Sequence, residues 1–316
     1  MLRLSLVFLT ILTLALGILV IYQHRPVAAV SPSGCIDISA HPDYLSTGDA
    51  HDAIAAINNA RQQEHLRPLR LPANFYQLDP AQQQFILLNL ERTDRHLRPL
   101  RMDTNLSQVA LAYSRQLLDL HFFSHTSPIS GSFSQRVWAN PTLASHFSLI
   151  AENLADNPVP GIGPMYEYMY DDASENCGHR QNILNPELTL VGINWVRGGE
   201  YGSLSAQEFL TPASWSPYTG TATPDTIAPQ VSISVYALGQ GRLQYTAEAS
   251  DNAGIARITW FLDSIQKPLH VGTQGILDTR HTTGGKHTLI AYAVDGEGNF
   301  GVARYTIADA FGGGEA

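Results

Sequence analysis

Three short motifs, FSHTSP at 123–128, AENLAD at 151–156 and CGHRQNILNP at 177–186, follow one another between Phe122 and Pro186. Each offers one ionisable or metal-competent side chain: His125, Glu152 and His179. Glu152 is flanked by Ile150 and Leu154, so its carboxylate should be partly buried and needs a partner. His179 is the natural candidate, with Gly178 beside it to allow close backbone approach or a positive φ. The plainer reading of that pair is a structural hydrogen bond stitching two loops together. His125 taken alone is more often a packed or surface residue than a ligand. His121, four residues earlier, would share a helical face with it, but no helix-borne Glu lies between them. Ser124 adjoins His125, and adjacent side chains rarely point at each other. Neither a Gly-x-Ser-x-Gly nor a His-Glu-x-x-His pattern occurs.

Upstream of the motifs the periodicity is helical. In DAIAAINNARQQEHLRPL, Ala53, Ile54, Ile57, Ala60 and Leu66 form one stripe, and Pro68 ends it. QQFILLNLERTDRHLRPL at 83–100 repeats this segment at an offset of 31, matching Asn58/Asn89, Arg61/Arg92, His65/His96, Leu66/Leu97, Arg67/Arg98, Pro68/Pro99 and Leu69/Leu100. This is a local duplication or a pair of helices with one kind of C-terminal stop. Asp79-Pro80 supplies an N-cap followed by Pro at the first helical position. Leu106–Leu120 predicts a third amphipathic helix, running on through His121-Phe122-Phe123. Pro164 opens a short helix over Met165–Asp172. From Thr189 the pattern turns to strand: LVGINWV, the Gly198-Gly199 turn and SAQEFL predict an antiparallel hairpin. Helices flanking a small sheet make an α/β sandwich.

The 316 residues allow about two domains. A net charge of −9 argues against a nucleic-acid surface, which would show a basic patch. Leu4–Tyr22 is nineteen residues without a charge, after Arg3 and before Val27-Ala28-Ala29. Residues 1–30 therefore read as a cleaved signal peptide or an uncleaved membrane anchor, and both place the rest outside the cytoplasm. Cys35 and Cys177 are the two cysteines; in an oxidising compartment they suggest one disulfide, the other reading being two thiols. Residues 31–78 form an extension with a helix, and 212–229 a Pro/Thr-rich linker. Over 230–310, short alternating runs separated by Gly, Asn and Asp predict a β-sandwich of immunoglobulin-like kind. Asp295, Glu297 and Asn299 are spaced like the front of a calcium loop, without its distal Glu. Turn chemistry alone also explains them.

HFFSHTSP, AENLAD and GHRQNILNP, preceded by ILLNLERTDRHLRPLR, resemble the CAP superfamily (cysteine-rich secretory proteins, antigen 5 and pathogenesis-related proteins) over about residues 83–210. The resemblance implies an α–β–α sandwich with a central antiparallel sheet over residues 79–211. It also implies a cleft with two His and two acids. His125, Glu152 and His179 match the family's positions, and Asp171 takes the place of the second acid, with a shorter side chain. Asn153, Arg180 and Asn182 would support the cleft. Two imidazoles with one or two carboxylates suit Zn²⁺ with an open coordination position. The family implies an exported binding protein with an extracellular protein, lipid or cell-envelope ligand. The alternative is a metal- or His/Glu-dependent hydrolase of peptide or envelope material. The segment after residue 230 resembles bacterial immunoglobulin-like or fibronectin type III-like modules, which act as spacers or contact domains.

Overall fold

The structure, a computed structural model, describes residues 37–144, 146–218, 224–282 and 285–307. The N-terminal apolar segment at 1–30 lies outside them, as does Cys35. Among the described residues no helix is long and apolar enough to cross a membrane.

A single turn, α1 (Tyr44–Thr47), is followed by α2 (Ala50–Gln63) and α3 (Pro80–Thr93), then the short strand β1 (Arg101–Met102) and α4 (Thr104–Asp119). Asp49, Asp79 and Asp103 start α2, α3 and α4 by accepting hydrogen bonds from first-turn amides that have no partner within the helix. A two-stranded ribbon of β2 (Thr126–Ser127) and β3 (Gly131–Ser132) leads into α5 (Phe133–Ala139), which a Ser132/Gln135 capping box opens. Next come β4 (Phe147–Asp156), α6 (Gly163–Tyr170), α7 (Gly178–Leu184) and the predicted hairpin, β5 (Leu190–Arg197) and β6 (Ser203–Pro212).

These strands form one sheet in the order β1-β5-β6-β4, with β1 parallel to β5 and the others antiparallel. Period-two alternation splits their side chains between two layers. Val191, Ile193, Phe209 and Ala155 join a core with residues of α2, α3 and α6. Leu190 and Leu210, and likewise Leu154, Leu204 and Ala206, pack with α4 residues on the other face. Gly192 sits where α4 crosses the sheet: a Cβ there would come within 2.0 Å of the Leu106 backbone carbon. This is the α–β–α sandwich. The extension is part of it, since Tyr44, Ile57 and Phe75 are buried in the same core as Phe209 and Met165.

The duplicated segments share their hydrogen bonds as well as their letters. Leu69 N–H donates to Asn58 Oδ1, and Leu100 N–H to Asn89 Oδ1, each at 2.8 Å. Arg61 Nε donates to the Arg67 carbonyl at 3.0 Å, and Arg92 Nε to that of Arg98 at 2.8 Å. His65 and His96 both take the left-handed conformation, with φ of 59° and 62°, just past the helix end. Both readings of the repeat thus meet in one helix-and-stop unit.

The helix expected to run on through Phe123 ends earlier than the periodicity predicts. α4 stops at Asp119, and His121 has φ of 53°, so His121 and His125 share no helical face.

Beyond Pro212 the described elements are all strands and one 3₁₀ turn: β7 (Gln230–Gly239), β8 (Arg242–Ser250), β9 (Arg257–Leu262), β10 (His270–Val271), β11 (Gln274–Asp278), β12 (His287–Val294) and β13 (Phe300–Ile307). They form two sheets, β10-β9-β12-β13 and β11-β8-β7, facing each other over Tyr245, Trp260, Leu289 and Ala291. This sandwich is docked on the first domain rather than strung from it. Ile129 and Leu120 are buried with Phe261, Ile290, Tyr292 and Val294. Gln108 and Gln116 of α4 donate to Asn299 Oδ1 at 3.0 Å and to the Gly298 carbonyl at 2.8 Å.

Candidate functional site

Two histidine–carboxylate pairs face each other where the ribbon, β4 and α7 meet. His125 Nδ1 lies 2.7 Å from Glu152 Oε1, and His179 Nδ1 lies 2.7 Å from Asp172 Oδ1. The two imidazole centroids are 6.4 Å apart. Both carboxylates are buried, whereas the His125 side chain is 56% exposed and that of His179 is 17% exposed. An Nδ1–H that donates to a buried carboxylate leaves Nε2 with its lone pair. Among the described residues neither Nε2 has a hydrogen-bond partner.

Glu152 is held by more than His125. It projects from the centre of β4 on the α4 side of the sheet, and Arg136 of α5 pairs with its other oxygen. The Arg136 guanidinium lies 3.4 Å over the Tyr113 ring and also donates to the Gly131 carbonyl at 2.9 Å. Directly across the strand pair from Glu152 is Glu208, fully buried. Burial, and then the charge of Glu152, push the Glu208 carboxyl well above its ordinary range. Arg136 is the cation set against both carboxylates: it pairs with Glu152 and its charge opposes the rise at Glu208.

His179 opens α7, which is fastened at both ends. Asp172 Oδ2 accepts from the Arg180 amide at 2.9 Å, while Arg92 Nη1 donates to the carbonyls of Ile183 at 2.6 Å and Asn185 at 2.8 Å. Asn182 Nδ2 reaches the Glu152 carbonyl at 3.2 Å and Asn153 Oδ1 at 2.8 Å, and Asn153 donates to the His179 carbonyl at 3.3 Å. These amides tie α7 to β4 and so set the two imidazoles opposite each other. The Arg180 side chain turns away from the cleft, to the Met169 carbonyl at 2.6 Å and to Glu64. There it joins a buried network in which Arg95 pairs with Glu64 and Glu91, and Glu91 also accepts from the Tyr170 hydroxyl at 3.0 Å.

The sequence reading pairs Glu152 with His179 and gives the second acid to Asp171. The structure pairs Glu152 with His125, and it puts Asp172 on His179. Asp171 is exposed and forms an isolated antiparallel bridge with Asp37. The reason is local: α6 ends at Tyr170, so the next residue leaves along Asp37 and only Asp172 turns inward. Cys177 is disulfide-bonded, with φ of 60° just before α7. A groove of about 850 Å³, lined in part by Leu120, Phe122, Pro128, Tyr292 and Arg304, runs along the seam between the two domains. His125 and His179 are not among its lining residues.

A family model described as CAP, the cysteine-rich secretory protein family, matches residues 85–211. These residues are a CAP domain. Within the chain the match spans α3 to β6 and so takes in both histidine–carboxylate pairs. The chain is also similar to YkwD of Bacillus subtilis (strain 168), with 32% identity over 104 residues, covering 33% of this chain and 36% of YkwD. It thus spans about a third of the length of that curated relative. Among solved structures, it is similar to an extracellular SCP-domain protein of Bacillus anthracis str. Ames, at 28% identity and a TM-score of 0.35, covering 45% of this chain and 44% of that one. It is also similar to the PKD1 domain of the Vibrio cholerae metalloprotease PrtV, at 18% identity and a TM-score of 0.23, covering 26% of this chain and 96% of that one.

Proposed function

We propose that this CAP-domain protein acts outside the cytoplasm as a binding protein whose His125/His179 cleft holds a divalent metal, with Zn²⁺ the best fit. The observation that carries this reading is the pair of imidazoles, each anchored through Nδ1 on a buried carboxylate, with the Nε2 atoms unpartnered. That is the outer-shell arrangement that orients a histidine toward a metal and raises its basicity. The fit is to an imidazole-preferring ion with free coordination positions, because the two carboxylates are spent on the imidazoles and on Arg136. A metal held by two histidines keeps positions that a carboxylate or imidazole of a protein or cell-envelope partner can fill.

The same geometry favours binding over hydrolysis. Both oxygens of Glu152 are occupied, one by His125 and one by Arg136, so it is poorly placed to take a proton from water. The location reading rests on the apolar N-terminal segment and on the disulfide-bonded Cys177, which suits an oxidising compartment.

Metal analysis of the purified full chain after Zn²⁺ loading tests the proposal. Wild type should retain about one equivalent, and His125→Ala and His179→Ala should each lose it at least about tenfold. Retention below about 0.1 equivalent by wild type would overturn the metal site.

A further inference from the structure

A second set of convergent ligands lies away from the histidine cleft, at the seam between the CAP domain and the sandwich. One carboxylate oxygen each from Asp225, Asp295 and Glu297 lies within 4.8 Å of the other two. Acidic turns are common without an ion, and most of the bonds here are turn bonds. Asp225 Oδ1 accepts from the Ile227 amide at 3.1 Å, and Asp295 Oδ1 from the amides of Glu297 and Asn299 at 2.9 Å each. Asp295 Oδ2 accepts from Asn299 Nδ2 at 2.8 Å.

What those turns do not explain is Glu297. Glu297 is only 5% exposed, yet its Oε2 has no hydrogen-bond partner among the described residues. Asp295, Asp225 and Asp251 all act on Glu297, while Arg136 and Arg257 line the same small cavity and form no ion pair with it. A buried carboxylate oxygen without a partner, set among other carboxylates, is costly, and a cation at the point of convergence removes that cost. The donor set is oxygen alone, with no His or Cys, which selects a hard cation. Ca²⁺ takes oxygen ligands at about 2.3–2.6 Å in flexible geometry, so three oxygens within 4.8 Å of one another can close on it with small side-chain shifts. Mg²⁺, which needs near-ideal octahedral geometry at about 2.1 Å, fits less well.

The position gives the site a role. Asp225 belongs to the segment that joins the domains, and Asp295 and Glu297 to the turn between β12 and β13. Asn299 of that turn donates to the Asp225 carbonyl at 3.2 Å and accepts from Gln108 of α4 at 3.0 Å. A Cβ on Gly296 of the same turn would lie 3.0 Å from the Ala139 carbonyl, so the turn is pressed against the end of α5. We propose that Asp225, Asp295 and Glu297 form a Ca²⁺ site that fastens the joining segment and the sandwich to the CAP domain.

Equilibrium dialysis of the full chain against Ca²⁺, with thermal unfolding in Ca²⁺ and in chelator, tests this. Wild type should bind one ion with a dissociation constant of about 10⁻⁴–10⁻³ M and unfold at a higher temperature in Ca²⁺ than in chelator. Glu297→Gln should bind at least about tenfold more weakly and lose the Ca²⁺-dependent rise. In chelator it should unfold at or above the wild-type temperature, because it carries one buried unpaired charge fewer. If Glu297→Gln does not fold, Asp225→Asn should show the same loss of binding. His179→Ala, which removes a ligand of the other cleft, should bind Ca²⁺ like wild type. Less than about 0.1 equivalent bound by wild type at about 10 mM Ca²⁺, or full binding by folded Glu297→Gln, would overturn the site.

Discussion

Arg136 is paired with Glu152, and it also opposes the effect of the Glu152 charge on Glu208. Removing a single partner from a buried ion pair leaves an uncompensated charge, which costs about 3–5 kcal/mol. Arg136→Ala should therefore lower the urea-unfolding free energy by that amount. A loss under about 1 kcal/mol for Arg136→Ala would sink this account of the pair. Glu167 gives a second, pH-dependent case. Burial raises its carboxyl from the ordinary 4.5 to about 7, although Asn157 donates to it at 2.5 Å. Between those values the folded chain holds a proton that the unfolded chain has released, so stability falls as pH rises through the window. The full penalty, about 3 kcal/mol, is reached above pH 7. Glu167→Gln should raise the thermal midpoint at pH 8 and leave it nearly unchanged at pH 4; an equal shift at both would show that titration is not the cause. Little of this was readable residue by residue. Glu208 did leave a trace, because in SAQEFL it falls on the same alternating face as Ala206 and Leu210, and an acid on a buried face needs a reason. The choice between Asp171 and Asp172 left none, because it depends on where α6 stops.

Among the elements, the duplicated helix-and-stop unit carries α7 and hence His179. The sequence showed the duplication in full, since both stops are built from local hydrogen bonds between matching residues. It could not show the use made of the positions that differ. Glu64 and Arg95 occupy equivalent places at the offset of 31, and they pair with each other, so the two copies are joined by a charge exchange. Arg61 turns to Glu91 at 2.8 Å, while its counterpart Arg92 turns the other way and caps α7. Burial without a carboxylate partner lowers the Arg92 pKa to about 10. The two asparagines are likewise unequal. Asn89 makes two bonds to Leu100, accepting at 2.8 Å and donating at 3.1 Å, whereas among the described residues Asn58 makes one such bond, accepting from Leu69. Asn89→Ala should cost about 1–3 kcal/mol in chemical denaturation, and Asn58→Ala about 1 kcal/mol less, the value of one hydrogen bond. Equal costs, or the reverse order, would contradict this difference between the copies.

At the scale of the molecule, α4 is the element with two partners. Its Leu106, Val109, Tyr113 and Leu117 stripe faces the sheet, which hydrophobic periodicity alone predicts. Its Gln108, Ala112 and Gln116 side meets the turn at Gly298 and Asn299, where a Cβ on Gly298 would lie 3.2 Å from that of Ala112. Glutamines read as a solvated face in a sequence, so this seam was invisible there. The Pro/Thr-rich joining segment shows that no periodic element spans it, and says nothing of whether the units beside it touch. They do, through Ile129 and Leu120 against Phe261, Ile290 and Tyr292, all of them buried. The Thr259 hydroxyl also donates to the Ile129 carbonyl at 3.2 Å. Separating the domains would expose these side chains and leave Gln116 without the Gly298 carbonyl, so the two units should unfold together. Calorimetry of the full chain should give one transition with van't Hoff and calorimetric enthalpies in agreement. Ile129→Ala removes the residue at the centre of the contact, at a cost of about 2–5 kcal/mol, and should split that transition in two. Two resolved transitions already in wild type would mean that the seam transmits no stability between the CAP domain and the sandwich.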